Sequence, residues 1–246
     1  MIKDPYKSNE YQELGLEEKV LTRAGDWVFD EAVSEIFDIH VRRSIPLYEE
    51  AQNLIGAISQ VLLKKDAIVY DLGTSSGEVI NSIWKVNMDK NITFYAVDNS
   101  QPMLAKAQEK LAHIPNITYI NQNIQNVDYV ACDMIISAYT LQFIPVQERL
   151  DLLIKLQKSI RDDGSVLIFE KIVFNDELID NLLREIHENW KLKYFSREQI
   201  EYKKNQLRQV MRPLNLDENI KMIEEAGFMN HQPIFQWGNF IGILAY

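Results

Sequence analysis

Short apolar runs alternate with helical patterns through the middle of the chain. The runs expected to form strands lie at 67–70, 92–97, 117–120, 134–136 and 166–169. Helical periodicity lies between them at 77–86, 101–112 and 146–161, and Asp163-Gly164 closes the last of these helices. Strands that alternate with helices predict an α/β fold, with a doubly wound, mostly parallel sheet covered by helices on both faces.

Further helical patterns flank this predicted sheet. Residues 1–24 are polar and predict a mobile arm, whereas 25–65 form a helical cap. The pattern is helical again over about 175–212, where Ser196-Arg197-Glu198-Gln199 fits a capping box. A helix at 217–226 and a last strand at 240–246 follow. We expect a single domain over 25–246, with the cap and the 175–212 lid above the ligand edge of the sheet.

Composition and charge narrow the range of partners. The formal net charge is −10 over 246 residues, and such a surface repels nucleic-acid phosphates, so we expect a small-molecule substrate. The sequence has no apolar run of signal-peptide or membrane-spanning type, which predicts a cytoplasmic protein without membrane contact. The single cysteine, Cys132, allows no intrachain disulfide, and unpaired histidine spacing predicts no metal site.

The loop Asp71-Leu72-Gly73-Thr74-Ser75-Ser76-Gly77 follows the first strand, where open parallel sheets bind ligands. Gly73 permits a tight turn and close approach of a ligand, and Gly77 lets the next helix start near the sheet. The second strand ends in Asp98, whose carboxylate can accept hydrogen bonds from both hydroxyls of a ribose. The loop alone also fits a bare turn, but with Asp98 it indicates a nucleoside ligand. The fingerprint G-x-G-x-x-G is absent, which argues against NAD or FAD.

The same loop also matches the nucleophile elbow of α/β-hydrolases, G-x-S-x-G, with Ser75 at its centre. A hydrolase would also need an acid and a histidine downstream. None of the histidines after Ser75 lies in an obvious loop behind a late strand with a preceding acid, although His231 stays open. The hydrolase is therefore a remote alternative.

Several short runs, spread from about Gly25 to the C-terminus, together resemble the carboxy-S-adenosyl-L-methionine synthase family, a branch of the class I methyltransferases. They are Gly25-Asp26-Trp27-Val28-Phe29-Asp30-Glu31, Arg43-Ser44-Ile45-Pro46-Leu47-Tyr48, Tyr70-Asp71-Leu72-Gly73, Asp98-Asn99-Ser100, Thr140-Leu141-Gln142-Phe143 and Glu170-Lys171. The resemblance implies a Rossmann-like fold with a seven-stranded sheet, a helical lid and a homodimer. It also implies S-adenosyl-L-methionine (SAM), or carboxy-SAM, as the cofactor.

The resemblance further implies which residues line the cofactor pocket: Tyr48, Gly73, Thr74, Ser75, Asp98, Asn99, Asn123, Ile124 and Ala138. Tyr48 would approach the methionine end, and Asp98 would hold the ribose. Asn123 and Ile124 would flank the adenine. The family usually has an aspartate where this chain has Asn123, and an amide oxygen can still accept from the adenine amine.

Two departures concern the family's reaction, which makes a carboxymethyl sulfonium from SAM and prephenate. Where the family has an asparagine after the fourth strand, this chain has Ala138. Where the family has an arginine that grips the carboxylate of the carboxylated cofactor, this chain has Lys204. Lysine keeps the charge but loses the bidentate fork. We expect Lys204 and Arg43 to meet a carboxylate of the substrate or the cofactor.

The segment 190–212 carries seven basic and two acidic residues. Above the ligand edge it would attract an anion, although a solvated helix or a dimer contact has the same pattern. Three hypotheses follow: a methyltransferase acting on a small anionic metabolite, a carboxy-SAM synthase that tolerates Lys204 and Ala138, and a non-catalytic SAM-binding protein. Methyl transfer needs a general base only for a poorly acidic nucleophile, and the candidates are Tyr139, Glu170 and His187.

Overall fold

The computed structural model describes residues 31–246. The expected arm at 1–24 and the start of the cap at 25–30 lie outside the described residues. The described part of the cap consists of two helices, α1 (Glu31–Ser44) and α2 (Tyr48–Leu62). Six further helices follow along the chain: α3 (Glu78–Val86), α4 (Gln101–Lys110), α5 (Val146–Ser159), α6 (Glu177–Lys191), α7 (Arg197–Val210) and α8 (Leu216–Glu225).

Seven strands form one sheet in the order β3-β2-β1-β4-β5-β7-β6. Their bounds are β1 (Ile68–Leu72), β2 (Thr93–Asp98), β3 (Ile117–Asn121), β4 (Cys132–Ala138), β5 (Ile160–Lys171), β6 (His231–Trp237) and β7 (Phe240–Ala245). Strands β1 to β5 pair in parallel, and β7 pairs antiparallel with both β5 and β6. This confirms the expected α/β fold with a mostly parallel seven-stranded sheet.

Neighbouring residues of the central strands enter two different cores. Val69 and Met134 belong to the cluster on one face of the sheet, whereas Tyr70 and Ile135 belong to the cluster on the other face. The strands are apolar on both sides because helices cover both faces. Each fully buried large side chain contributes about 1.5–3 kcal/mol of apolar transfer free energy, so the strand ends sit on a rigid platform.

One strand begins earlier than the sequence predicts. The helix expected over 146–161 ends at Ser159, and β5 begins at Ile160 and runs through Asp163 and Gly164, which we expected to close that helix. The polar start of β5 is explained by its pairing: Ile160 pairs with Cys132, and the register then shifts before Ser165.

The 175–212 segment forms α6 and α7, as predicted. Ser196 and Gln199 make the expected capping box, with Gln199 N donating to Ser196 Oγ at 3.2 Å and Ser196 N to Gln199 Oε1 at 2.7 Å. Asp176 caps α6 by accepting from the backbone of Leu178 and Ile179. Within residues 31–246, no helix is both long enough and apolar enough to span a membrane.

Candidate cofactor and acceptor site

A cavity of about 910 Å³ lies at the carboxyl edge of the sheet. Residues that follow each of the parallel strands β1 to β5 line it, together with residues of α1, α6 and α7. The strand order reverses between β1 and β4, which is where doubly wound sheets bind ligands.

The loop after β1 leaves no room for side chains at its two glycines. Gly73 has φ of 71°, and a Cβ there would lie 2.3 Å from Thr140 Oγ1. Gly77 has φ of 85°, and its Cβ would lie 2.5 Å from a methyl carbon of Leu111. The glycines therefore serve a left-handed backbone and close packing against the loop after β4 and the end of α4.

A buried carboxyl group supports this loop from below. Thr74 Oγ1 donates to Oδ2 of Asp71 at 2.7 Å, and both side chains are buried. Burial raises the pKa of Asp71 to about 7. Asp71 is outside the cavity lining, so its task is to hold the loop.

Asp98 stands at the end of β2 with its carboxylate turned toward the glycine loop. Its Oδ2 accepts from the backbone N of Ser75 at 2.9 Å, and its Oδ1 accepts from the backbone N of Ser100 at 2.9 Å. Burial raises its pKa, and the backbone hydrogen bonds, which favour the ionised form, oppose that shift. Each oxygen keeps a lone-pair direction for a further donor, so the group can receive two hydroxyls of a ribose.

Beyond Asp98, the ends of β2 and β3 form a narrow slot. Asn99 Nδ2 donates to Asn123 Oδ1 at 2.9 Å, and both line the cavity beside the buried Ile124. An apolar surface next to amide groups suits the flat face and polar edge of a nucleobase.

Two tyrosines wall the cavity on the other side of the glycine loop. The rings of Tyr48, at the start of α2, and Tyr139, just after β4, lie 6.3 Å apart, and both are buried. Tyr139 has φ of 61°, and its hydroxyl has no hydrogen-bond partner among the described residues. A non-glycine residue in this conformation is uncommon, and such strain concentrates at functional sites.

Ion pairs dock the first helix on the glycine loop. Asp38 of α1 accepts from Ser76 Oγ and pairs with Lys110 at 2.6 Å. Lys110 also pairs with Glu78, the first residue of α3, which Arg42 of α1 contacts at 3.3 Å. These contacts hold α1 against the glycine loop and the start of α3.

The far wall of the cavity is cationic. Among residues 31–246, seven basic side chains line it: Lys171, Arg184, Lys191, Lys203, Lys204, Arg208 and Arg212. The acidic lining residues in the described part of the chain are Glu78, Asp98 and Glu188, and the first two lie beside the glycine loop. Burial and then the neighbouring cations Lys191 and Arg184 lower the pKa of Lys171 to about 8.

Lys204 reaches the cavity but is already paired. Its Nζ lies 2.8 Å from Glu188 Oε1 and 3.4 Å from Glu201 Oε2. Both acids raise its pKa, so it stays charged. Its charge is therefore partly neutralised within the protein.

The three general-base candidates differ in position. Tyr139 and His187 line the cavity, whereas Glu170 lies beneath it, buried beside Arg149 and accepting from the backbone of Gln142 and Leu141. Burial raises the pKa of Glu170 to about 8. Burial, with Lys171 and Lys191 nearby, lowers the pKa of His187 to about 3, and its Nε2 lies 2.9 Å from the Ser44 carbonyl oxygen. Burial raises the pKa of Tyr139.

The structure brings most of the expected site residues to one cavity. All nine expected cofactor residues line it, and so does Lys204. Arg43 does not line it, and its guanidinium lies 5.8 Å from the ring centre of Tyr194. Sequence reasoning missed Arg184 and Gln142 as lining residues and gave Lys171 no role. The position of Lys171 at the carboxyl end of β5 was the available signal, because that edge carries the ligands.

The arrangement of the described residues supports neither the nucleophile elbow of a hydrolase nor a metal site. His231 lies on β6 and contacts Glu224 at 3.0 Å, and Ser75 Oγ has no hydrogen-bond partner among residues 31–246. The same residues include no group of three His, Cys, Asp or Glu placed to hold a metal ion.

Comparisons with known proteins agree with this geometry. Residues 69–164 match the sequence model of the methyltransferase domain family. The carboxy-S-adenosyl-L-methionine synthase of Campylobacter jejuni strain 81-176 is 34% identical over 220 residues, which covers 89% of this chain and 93% of that protein.

Solved structures show the same fold at low identity. A SAM-dependent methyltransferase from Aquifex aeolicus superposes with a TM-score of 0.58 at 18% identity, covering 88% of this chain and 98% of that one. Human N-acetylserotonin methyltransferase, solved in complex with SAM, gives 0.58 at 15% identity, covering 93% of this chain and 56% of that one. With the fold, the glycine loop and the full-length relatives in agreement, the chain belongs to the carboxy-S-adenosyl-L-methionine synthase family of class I methyltransferases.

Proposed function

We propose that this protein is a SAM-dependent methyltransferase whose acceptor is a small anionic metabolite. The observation that carries the proposal is one cavity with two unlike ends: the Asp98 carboxylate beside a glycine loop, and a wall of seven basic side chains opposite. The first end suits a nucleoside, and the second suits an anion.

The residues present fit SAM. Gly73 makes a cradle that a Cβ would fill, and the Ser75 hydroxyl is buried without a partner among the described residues. Asp98 would accept from the ribose, Asn99 and Asn123 would border the adenine edge, and Ile124 would contact its face. The tyrosine rings of the opposite wall suit a sulfonium, because aromatic faces attract cations.

SAM supplies a methyl group already activated on its sulfonium, so the protein's task is mainly to align the acceptor and exclude water. Lys171 and Lys191 would hold the anionic group of the acceptor, and the tyrosine wall would fix the methionine end. His187 is a weak base at neutral pH, and Glu170 is outside the cavity lining. This favours an acceptor whose nucleophilic group is already ionised.

A second candidate is carboxy-SAM synthase activity, and the relatives' names over nearly the whole chain favour it. Against it stand Ala138 and Lys204 at two positions where the family has asparagine and arginine. The pairing of Lys204 with Glu188 further reduces the charge it can offer to a carboxylate.

Mass spectrometry separates the two candidates. The purified protein is incubated with SAM and a panel of carboxylate metabolites that includes prephenate, and S-adenosylhomocysteine, methylated acceptor and carboxy-SAM are quantified. We expect a methylated acceptor and S-adenosylhomocysteine, with a higher KM for the acceptor in Lys171→Gln than in the control Lys158→Gln on the outer face of α5. Carboxy-SAM formed only with prephenate would replace the first candidate by the second.

We also propose that the protein is a homodimer. Leu178, Leu182 and Ile186 follow one another at helical spacing on α6 and are 75%, 49% and 43% exposed. An apolar stripe of this kind is typical of an interface. Light scattering after size exclusion should give a dimer mass, and Leu182→Glu should give a monomer; a monomeric parent protein would refute this part. The cytoplasmic location stays a prediction from the sequence.

A further inference from the structure

Gln142 contacts both the tyrosine wall and the cationic wall of the cavity. It lies in the 3₁₀ turn Leu141–Phe143 after β4, is buried and lines the cavity. Its Nε2 donates to the carbonyl oxygen of Tyr139 at 3.1 Å, and its Oε1 accepts from the backbone N of Lys171 at 3.1 Å. One side chain therefore joins the cofactor wall to the strand end that carries an acceptor cation.

The backbone of Gln142 holds the C-terminal end of α7. Its carbonyl oxygen accepts from the backbone N of Arg212 at 2.9 Å and from Nη2 of Arg149 at 3.1 Å. The same Nη2 donates to the carbonyl oxygen of Arg212 at 2.7 Å, while Arg149 Nε donates to that of Ile144 at 2.9 Å. Arg149 is 1% exposed, so it acts here as a buried clamp between the β4–α5 connection and the segment that follows α7.

The turn that Gln142 holds is also the one that packs against the cofactor loop. Thr140 fills the space that a Cβ of Gly73 would need, and Tyr139 is fixed at positive φ by its own N–H, which donates to Phe169 O at 2.7 Å. Close packing allows such a contact few alternative arrangements, so we expect a shift at the glycine loop to be passed to the turn. From the turn it reaches α7, which carries Lys203, Lys204 and Arg208.

We propose that Gln142 and Arg149 are positioning residues that couple occupancy of the cofactor site to the order of α7, the helix that carries Lys203, Lys204 and Arg208 of the cationic wall. The proposal rests on the proposed binding of SAM. Gln142 and Arg149 would not contact the reacting atoms. They would set the distance between the tyrosine wall and the acceptor cations.

Hydrogen exchange measured by mass spectrometry tests this coupling, with S-adenosylhomocysteine as the probe. In the parent protein the probe should slow exchange in peptides from the glycine loop (72–77) and also from α7 (197–210). Gln142→Met removes both side-chain hydrogen bonds at nearly constant volume, and Arg149→Lys cannot span the same carbonyls. In both variants we expect protection of 72–77 to persist and protection of 197–210 to be lost.

Titration calorimetry on the same samples measures how tightly each variant binds the probe. Losing two neutral hydrogen bonds should weaken probe binding by no more than about 100-fold. A larger loss, or unchanged protection of α7 in a folded variant, would overturn the coupling, as would a parent protein in which the probe protects only 72–77. If Gln142→Met does not fold, Gln142→Glu keeps the acceptor for Lys171 and loses the donor to Tyr139.

The control Gln232→Met changes an exposed residue of β6 and should behave as the parent protein does. If the parent protein neither binds the probe nor shows protection at 72–77, the proposed cofactor binding fails and the coupling fails with it. That result differs from protection confined to 72–77, which refutes the coupling alone.

Discussion

The backbone N–H of Ser75 donates to Oδ2 of Asp98 at 2.9 Å, which ties the glycine loop after β1 to the end of β2. The carboxylate thereby orders the loop, and Asp98 also lines the cavity. Loop shape and, under the proposed function, ribose recognition would therefore depend on one side chain.

Asp98→Ala should weaken binding of S-adenosylhomocysteine by about 1–3 kcal/mol, because hydrogen-bond partners on loop and ligand are left unsatisfied. Titration calorimetry at neutral pH measures the change, and Asp89→Ala at an exposed position is the matched control. Equal affinity in Asp98→Ala and the parent protein would show that the ribose lies elsewhere.

The contact between Gly73 and Thr140 predicts a non-additive pair of substitutions. Gly73→Ala should lower the free energy of unfolding by about 2 kcal/mol or more, from a strained positive φ and from overlap with Thr140. Thr140→Ala removes the two nearest atoms, so the double variant should recover part of that loss. Urea unfolding of the four proteins measures the coupling, and strict additivity would contradict the contact.

Much of this arrangement could be predicted from the sequence because its signals are local. The runs ending at Asp71 and Asp98 are apolar and β-branched, and Ser196 with Gln199 is a short-range cap. Strand ends meet at one edge in a parallel sheet, so both aspartates could be assigned to the ligand edge without coordinates.

The parts that could not be predicted depend on contacts between distant segments. Arg149 has the pattern of a solvated helix residue, yet it is buried and donates to the carbonyl oxygen of Arg212, which only the fold brings near. The polar start of β5 pairs with β4 despite its turn-like residues. Strand β6 contains Pro233 and, among the strands of residues 31–246, is an edge strand paired with β7 alone, so its pattern is weak.

The buried His187 predicts acid sensitivity. Its folded-state pKa of about 3 lies below the ordinary value of 6.5, so the unfolded chain takes up a proton first as the pH falls. Its contribution to stability is complete above about pH 7 and is lost as the pH drops through 6.5 toward 3. From this group, the free energy of unfolding should fall by about 2 kcal/mol between pH 7 and pH 5.

Urea unfolding at pH 7 and pH 5 tests this prediction with His187→Gln. The variant should be less stable than the parent at pH 7, because it loses ring contacts with Phe240 and Trp190, but it should lose less stability on acidification. His113→Gln, at an exposed ring, should keep the parent's pH dependence. An equal pH dependence in His187→Gln and the parent would mean that another group causes the loss.

The departures at Ala138 and Lys204 predict a change of reaction. Ala138 lines the cavity beside the glycine loop, and Lys204 is held by Glu188 and Glu201. The double variant Ala138→Asn, Lys204→Arg adds an amide donor and a planar fork that can keep Glu188 on one edge while binding a carboxylate with the other. Charge-assisted pairs contribute about 1.5–3 kcal/mol, so we expect carboxy-SAM formation from SAM and prephenate to rise roughly 10- to 100-fold over the parent protein.

Mass spectrometry of the nucleoside products gives the ratio, with Lys193→Arg on the connection between α6 and α7 as the control. If the parent protein already forms carboxy-SAM as fast as the double variant, lysine suffices at this position and the methyltransferase proposal gives way to synthase activity.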